Sequence, residues 1–297
     1  MSKLNEVPKE SHNKSQWFGI TTLFLIALIA YLFVTAPPPL PDSTISGTII
    51  SVNEMFKILN AENQAVRTKW TKTVSDGKKA GLKFNENWRQ EGEDAGPLPA
   101  LFLRETGNTL VQAPTLLRLF LGSDFPIVAA NLLKGAQRKM LDEIRATKKP
   151  QFFYDESTKN YIAMFPDYAV SMGCVDCHNK HPNSSKTDWH LNDIMGATTW
   201  SFPKEFVSTE DVLKNISYLR SGFTTAYASY LKKVETFKQK PEIGAKWPDA
   251  GFFMPNLEVF AETYEKTNSN PSLVELTKLI YSEPTVNKKN DREAASF

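Results

Sequence analysis

Residues 17–36, WFGITTLFLIALIAYLFVTA, carry no charged side chain. As a helix, such a run rises about 30 Å, the thickness of a bilayer's hydrocarbon core. It is therefore expected to be a membrane-crossing helix. A cleaved secretory signal is the alternative, because Val34-Thr35-Ala36 resembles a small-residue cleavage site. Pro37 counts against it, since proline is poorly accepted directly after the scissile bond. Lys3, Lys9 and Lys14 precede the run, whereas residues 37–56 contain no Lys or Arg. The positive-inside rule then keeps residues 1–16 in the cytoplasm and carries the rest outside. The expectation is a single-pass protein of the inner (cytoplasmic) membrane with its main domain in the periplasm. Pro37, Pro38, Pro39 and Pro41 make residues 37–43 a stiff extended spacer.

The remaining chain is long enough for a substantial core, with 41% hydrophobic residues among 297. Its 35 Lys and Arg nearly balance 33 Asp and Glu, and no basic run could track a phosphate backbone, so no nucleic-acid partner is expected. No enzyme signature stands out. The run from Gly77 to Gly81 lacks P-loop spacing and reads as a helix end, and no nucleophile elbow surrounds any serine. Glu91-Gly92-Glu93-Asp94 reads as a solvated loop.

An exported location changes how the cysteines are read. The two cysteines of the chain fall in Cys174-Val175-Asp176-Cys177-His178, the spacing of c-type haem attachment. In such sites two thiols add to the two vinyl groups and the adjacent histidine ligates the iron. Three readings compete. A thioredoxin-like pair would sit between a strand and a helix, a disulfide between cysteines three apart is strained, and a zinc site built from Cys174, Cys177, His181 and His190 lacks the usual second ligand pair. One covalently bound haem c is the preferred cofactor, with Cys174 and Cys177 as attachment points and His178 as proximal iron ligand. For the distal position Met55, His190 or no protein ligand at all remain open. His181, three residues past the proximal ligand, reads as a loop residue beside the ring.

The apolar pattern around the motif alternates between helical and strand periods. From Thr44, the positions Ile45, Ile49, Val52, Phe56, Leu59, Asn63, Val66, Trp70 and Thr73 form a stripe in steps of three and four, predicting a long helix with a polar Asn63 in its seam. Such a seam packs inside the domain or pairs the long helices of two copies into a homodimer. Residues 97–121 and 126–148 read as further helices. QFFYD (151–155) and NYIAMF (160–165) form a hairpin, and IMGATTWSF (194–202) is a third strand. Ser208-Thr209-Glu210-Asp211 has the form of a capping box opening a second long helix to Phe237. Residues 238–297 read as a loop-rich extension in which Asn270-Pro271 starts one short helix ending near Tyr281.

Several of these segments together are similar to a known family. The runs LNAENQAVRTKW, GKKAGLKFNENW, AGPLPALFLRET, LFLGSDFPI and CVDCHNKHPNSSKTDWHLNDIMGATTW resemble the Tll0287-like haem domain, also called domain-of-unknown-function 3365, over residues 44–237. The resemblance implies an α+β fold: a PAS-like small antiparallel sheet with long flanking helices, here preceded by the membrane-crossing helix. It also implies a single c-type haem at Cys174 and Cys177 with His178 proximal. A cysteine from the first long helix serves as distal ligand in some relatives, but here that helix offers Met55 and Asn60 and no thiol.

Such domains are often extracytoplasmic input modules of cyclases, kinases and chemoreceptors. No output segment is recognised after residue 237, so a redox or gas (NO/CO) sensor of this kind would signal through a separate protein partner. A membrane-tethered electron carrier of a respiratory or photosynthetic complex is the alternative. Arg67, Lys78 and Lys83 are either propionate partners or exposed helix charges.

Overall fold

The computed structural model describes residues 12–35 and 49–281. Pro37, Pro38, Pro39 and Pro41 of the expected spacer, Thr44 and Ile45 of the expected helix, and Lys3 and Lys9 lie outside the described residues. The chain divides into two units, Met1–Ile45 and Ser46–Phe297.

In the first unit the described element is α1 (His12–Thr35). Among the described residues no helix is long and apolar enough to cross a membrane, which overturns the membrane-crossing helix expected over residues 17–36. The helix begins ahead of the apolar run and takes in His12, Asn13, Lys14, Ser15 and Gln16.

The second unit is a mixed α/β fold. It opens with β1 (Ile49–Ser51), which pairs antiparallel with β8 (Phe206–Ser208), so the stripe's first described residue is strand and not helix. Ser51 then caps α2 (Val52–Lys79), its side chain accepting from the Asn53 N–H. Val52, Phe56, Leu59, Asn63, Val66, Trp70 and Thr73 are all buried, as the seam predicts. The helix ends where Gly81 turns the chain at φ +96°. β2 (Lys83–Asn85) and β3 (Ala95–Pro97) follow as a short parallel pair.

The helix expected over residues 97–121 is shorter: α3 (Pro99–Gln112) stops ahead of Pro114, and β4 (Arg118–Gly122) is a strand. The helix expected over 126–148 likewise begins late, as α4 (Gly135–Thr147), because Gly135 turns at φ +54° and Leu132 bridges to Ser123. The hairpin β5 (Gln151–Asp155) and β6 (Asn160–Tyr168) forms as expected, and β7 (Ile194–Phe202) is the third strand. The main sheet has four antiparallel strands in the order β4-β7-β6-β5. The single small sheet of the expected fold is thus corrected to this sheet plus three two-stranded pairs, two of them parallel.

Strand alternation gives this sheet two faces. Ala163, Phe165, Trp200 and Phe202 join the main core, while Ile162, Met164, Ile194 and Ala197 pack on Leu141 and Ile144 of α4. The main core is built on α2, α3, α6 (Thr209–Val234) and α7 (Leu257–Tyr281). The Ser208–Asp211 capping box of α6 is present with both reciprocal bonds. Trp70 is the hub. Its ring stacks on Phe102 at 4.6 Å and meets Tyr227 edge-on at 5.8 Å, and its Nε1–H donates to the Pro97 carbonyl at 3.1 Å. Glu62 of α2, fully buried, accepts from Arg220 of α6 at 3.0 and 2.5 Å, fixing the register of the two long helices.

Residues 238–281 are not mainly loop. β9 (Glu242–Gly244) and β10 (Phe253–Pro255) pair in parallel, and Asn256, not Asn270, starts the last helix by accepting the Val259 N–H at 2.8 Å. α7 then runs through Pro271 to Tyr281, and its Phe260 stacks on Tyr227 at 3.9 Å. The final VNKKNDREAASF lies outside the described residues.

Candidate functional site

The Cys-x-x-Cys-His motif sits in the excursion between two neighbouring central strands, β6 and β7. The base of the excursion is pinched by the Ala169 N–H to the Asp193 carbonyl and the Asn192 N–H to the Ala169 carbonyl, at 2.9 and 3.0 Å. Between them the chain forms α5 (Met172–Lys180). Helical spacing of three and four places Cys174, Cys177 and His178 on one side of that helix. Val175 points into a small apolar cluster with Ala169, Trp189, Met195, Phe125 and Cys174, which seats the helix on the end of the sheet.

Both thiols are free, Cys174 half-buried and Cys177 exposed. Crowding by neighbouring atoms pushes the Cys177 thiol up, although the residue as a whole is exposed. The Glu86 charge adds to that shift and Lys78 opposes it. A thiol-redox pair needs the opposite shift, toward thiolate. His178 is pushed below the ordinary imidazole value by desolvation, against the field of Asp167, so it is neutral at pH 7, the form that ligates a metal. Its Nδ1 is buried and has no hydrogen-bond partner among the described residues.

Two tethers hold the rest of the excursion. Asn179 donates through Nδ2 to the Trp189 carbonyl and accepts the Trp189 N–H on Oδ1, both at 2.9 Å. His181 accepts the Asn183 N–H on Nδ1 at 3.1 Å, so its Nε2–H donates to Glu86 at 2.6 Å, tying the motif to the segment after α2. With both ring nitrogens engaged, His181 is a loop anchor.

The other sequence candidates are scattered. His190 is 82% exposed beside Asp193, and Met55 is fully buried in the main core, outside the cluster that holds Cys174. The methionine in that cluster is Met195. Cys174, Cys177, His181 and His190 do not converge, and no metal-binding group of three such side chains occurs among the described residues. Arg67 is ion-paired with Asp167, Lys78 lies within electrostatic reach of Cys177, and Lys83 is exposed on β2. Asn179, Glu86 and Thr198 carry no local pattern that would single them out. Only the unusual C-H-N-x-H-P run hinted that Asn179 and His181 act with the motif.

Taken together, the fold and the site define a mixed α/β domain that presents two free thiols and a neutral histidine on one side of a short helix between its central strands. The Tll0287-like family model matches residues 48–203, more than half of the 297 residues, and the chain belongs to the Tll0287-like family. That family is one of haem-binding domains, which is consistent with a cytochrome-like module. No curated protein and no solved structure matches the chain.

Proposed function

We propose that this chain is a mono-haem c protein of an exported compartment such as the periplasm, and that it works as a redox or gas (NO/CO) sensing module rather than an enzyme. The observation that carries the reading is the grouping of Cys174, Cys177 and the half-buried, neutral His178 on one side of α5, in a member of a haem-binding family. The residues fit the group: two unpaired thiols at vinyl spacing, an imidazole in its ligating form, and an apolar seat beside Cys174. When bound, the haem supplies a one-electron iron and a face for a small ligand.

The chain's own residues attach, orient and shield that group. Cys174 and Cys177 anchor it, His178 holds one side, and the Asn179 and His181 tethers keep the flanking loop in place. His181–Glu86 and Arg67–Asp167 connect the site to α2 and the segment after it. A change of charge or ligand at the site would therefore be felt by the longest helix of the domain, and a separate protein partner, or a second copy packed through the long helices, would receive it. Electron transfer to a respiratory or photosynthetic partner is the alternative.

The test is a pyridine haemochrome assay with a haem-stained denaturing gel, on protein made in cells competent for cytochrome c maturation. A covalent stain is expected in the wild type and none in the double variant Cys174→Ser, Cys177→Ser. Colourless wild-type protein, or pigment extracted by acidic acetone, would refute the reading. CO added to the reduced protein separates the two roles. A changed spectrum supports sensing, and an unresponsive low-spin spectrum supports electron transfer.

A further inference from the structure

Asn63 has no exposed surface, and among the described residues neither its Oδ1 nor its Nδ2 has a hydrogen-bond partner. A buried carboxamide left unpaired is costly, and leucine would fill the seam of α2 at lower cost. Its position on the helix says what it faces. Three residues before it, Asn60 accepts from Trp200 Nε1 at 3.4 Å, and four residues after it, Arg67 is ion-paired with Asp167. Trp200 on β7 and Asp167 on β6 bracket the facing pair Phe165 and Thr198. Asn63 therefore falls on the stretch of α2 that faces this part of the sheet, which also holds Thr198, a residue whose fully buried hydroxyl is likewise unpartnered among the described residues. Asp167 is in turn the carboxylate whose field reaches His178. The Arg67–Asp167 pair thus links α2, one helical turn past Asn63, to the sheet that carries Thr198 and to the surroundings of His178.

We infer that the Asn63 carboxamide, assisted by the Thr198 hydroxyl, would be the hydrogen-bond donor for a small diatomic ligand such as CO or NO bound by the haem. The inference rests on the haem reading above and names what would recognise the ligand. A carboxamide supplies two donors and the hydroxyl a third. A dry, low-dielectric setting strengthens a hydrogen bond to the partial negative charge on a bound diatomic's outer oxygen.

The experiment uses the full chain with its haem attached, comparing wild type, Asn63→Leu and Thr198→Val. CO is bound to the reduced protein, and the C–O stretch, the CO dissociation rate and the melting temperature are measured. Asn63→Leu is expected to raise the stretching frequency and to speed dissociation about tenfold, the factor one hydrogen bond is worth. It is also expected to raise the melting temperature, because an unpaired buried amide is gone. Thr198→Val should shift the stretch in the same direction by less, and it serves alone should Asn63→Leu fail to fold. An unchanged stretch and rate in both variants would overturn the inference. So would a haem-loaded wild type that takes up no CO, a result that leaves the haem reading standing. Colourless protein would sink both.

Discussion

Replacing Asn179 by alanine tests whether the loop after the motif is held by one side chain. Asn179 makes two hydrogen bonds of 2.9 Å to the backbone of Trp189, one through each end of its amide. Trp189 is 4% exposed and shares the apolar cluster with Cys174 and Val175, so its N–H and carbonyl have no ready access to water. Each bond contributes about 1 kcal/mol net, and leaving a buried Trp189 group unpaired adds to the loss, so the closed loop should lose about 2–3 kcal/mol. At 1.4 kcal/mol per factor of ten, amide exchange at Trp189 should speed up about 30- to 150-fold. The second tether is untouched, because His181 reaches Glu86 independently at 2.6 Å. The effect should therefore stay local. Hydrogen exchange followed by NMR or by mass spectrometry of proteolytic peptides would show lost protection over residues 183–190 and unchanged protection in β6 and β7. Undiminished protection at Trp189 would refute the reasoning, and so would a loss spread evenly over the sheet.

Three further outcomes follow from the packing. Asp124 is 4% exposed and bonds Arg145 at 2.6 and 2.7 Å. Burial alone would raise its carboxyl, but the hydrogen bonds and charge of Arg145, with Arg138 behind them, hold it below the ordinary value. Its stabilising contribution is then present above the unfolded value of about 3.9 and lost as pH falls through the folded one. The urea midpoint of the wild type should drop more steeply below about pH 4 than that of Asp124→Asn. Tyr230 is fully buried with no partner for its hydroxyl among the described residues, and burial keeps that hydroxyl protonated far beyond its ordinary range. Tyr230→Phe should therefore gain about 1 kcal/mol, seen as a rise of about 2–4 °C by calorimetry, and a fall would contradict this. At Gly196 a Cβ would come within 2.3 Å of the Gly122 carbonyl oxygen on the neighbouring strand, a backbone atom that cannot swing away. Gly196→Ala should lose about 1–3 kcal/mol or more, whereas Gly244→Ala, with nothing within 4 Å, should melt like the wild type.

What could be read ahead of the structure was whatever local patterning controls. The hairpin strands are short, aromatic-rich runs separated by the polar Glu156-Ser157-Thr158-Lys159, β7 is a similar short run, and α6 carries both a capping box and a continuous stripe, so their neighbours in sequence suffice to specify them. β1 and β4 were misread because tertiary pairing decides them. Ile49 continues the stripe of α2 by spacing, yet its backbone is claimed by β8. RLFLG suits helix and strand alike until β7 supplies its hydrogen bonds. The membrane-crossing expectation relied on an uncharged run, whereas among the described residues no helix is long and apolar enough to cross. The site divides along the same line. Cys174, Cys177 and His178 are legible because attachment chemistry fixes their spacing, but Glu86 is 95 residues from the His181 it binds and Thr198 lies across the domain from Asn63 in sequence. Asn63 is the instructive case, for its place in the stripe foretold burial while its chemistry opposed it. A local rule broken at a position that the fold holds this tightly, with no partner for the amide among the described residues, is the kind of departure expected where a site and not the core sets the residue.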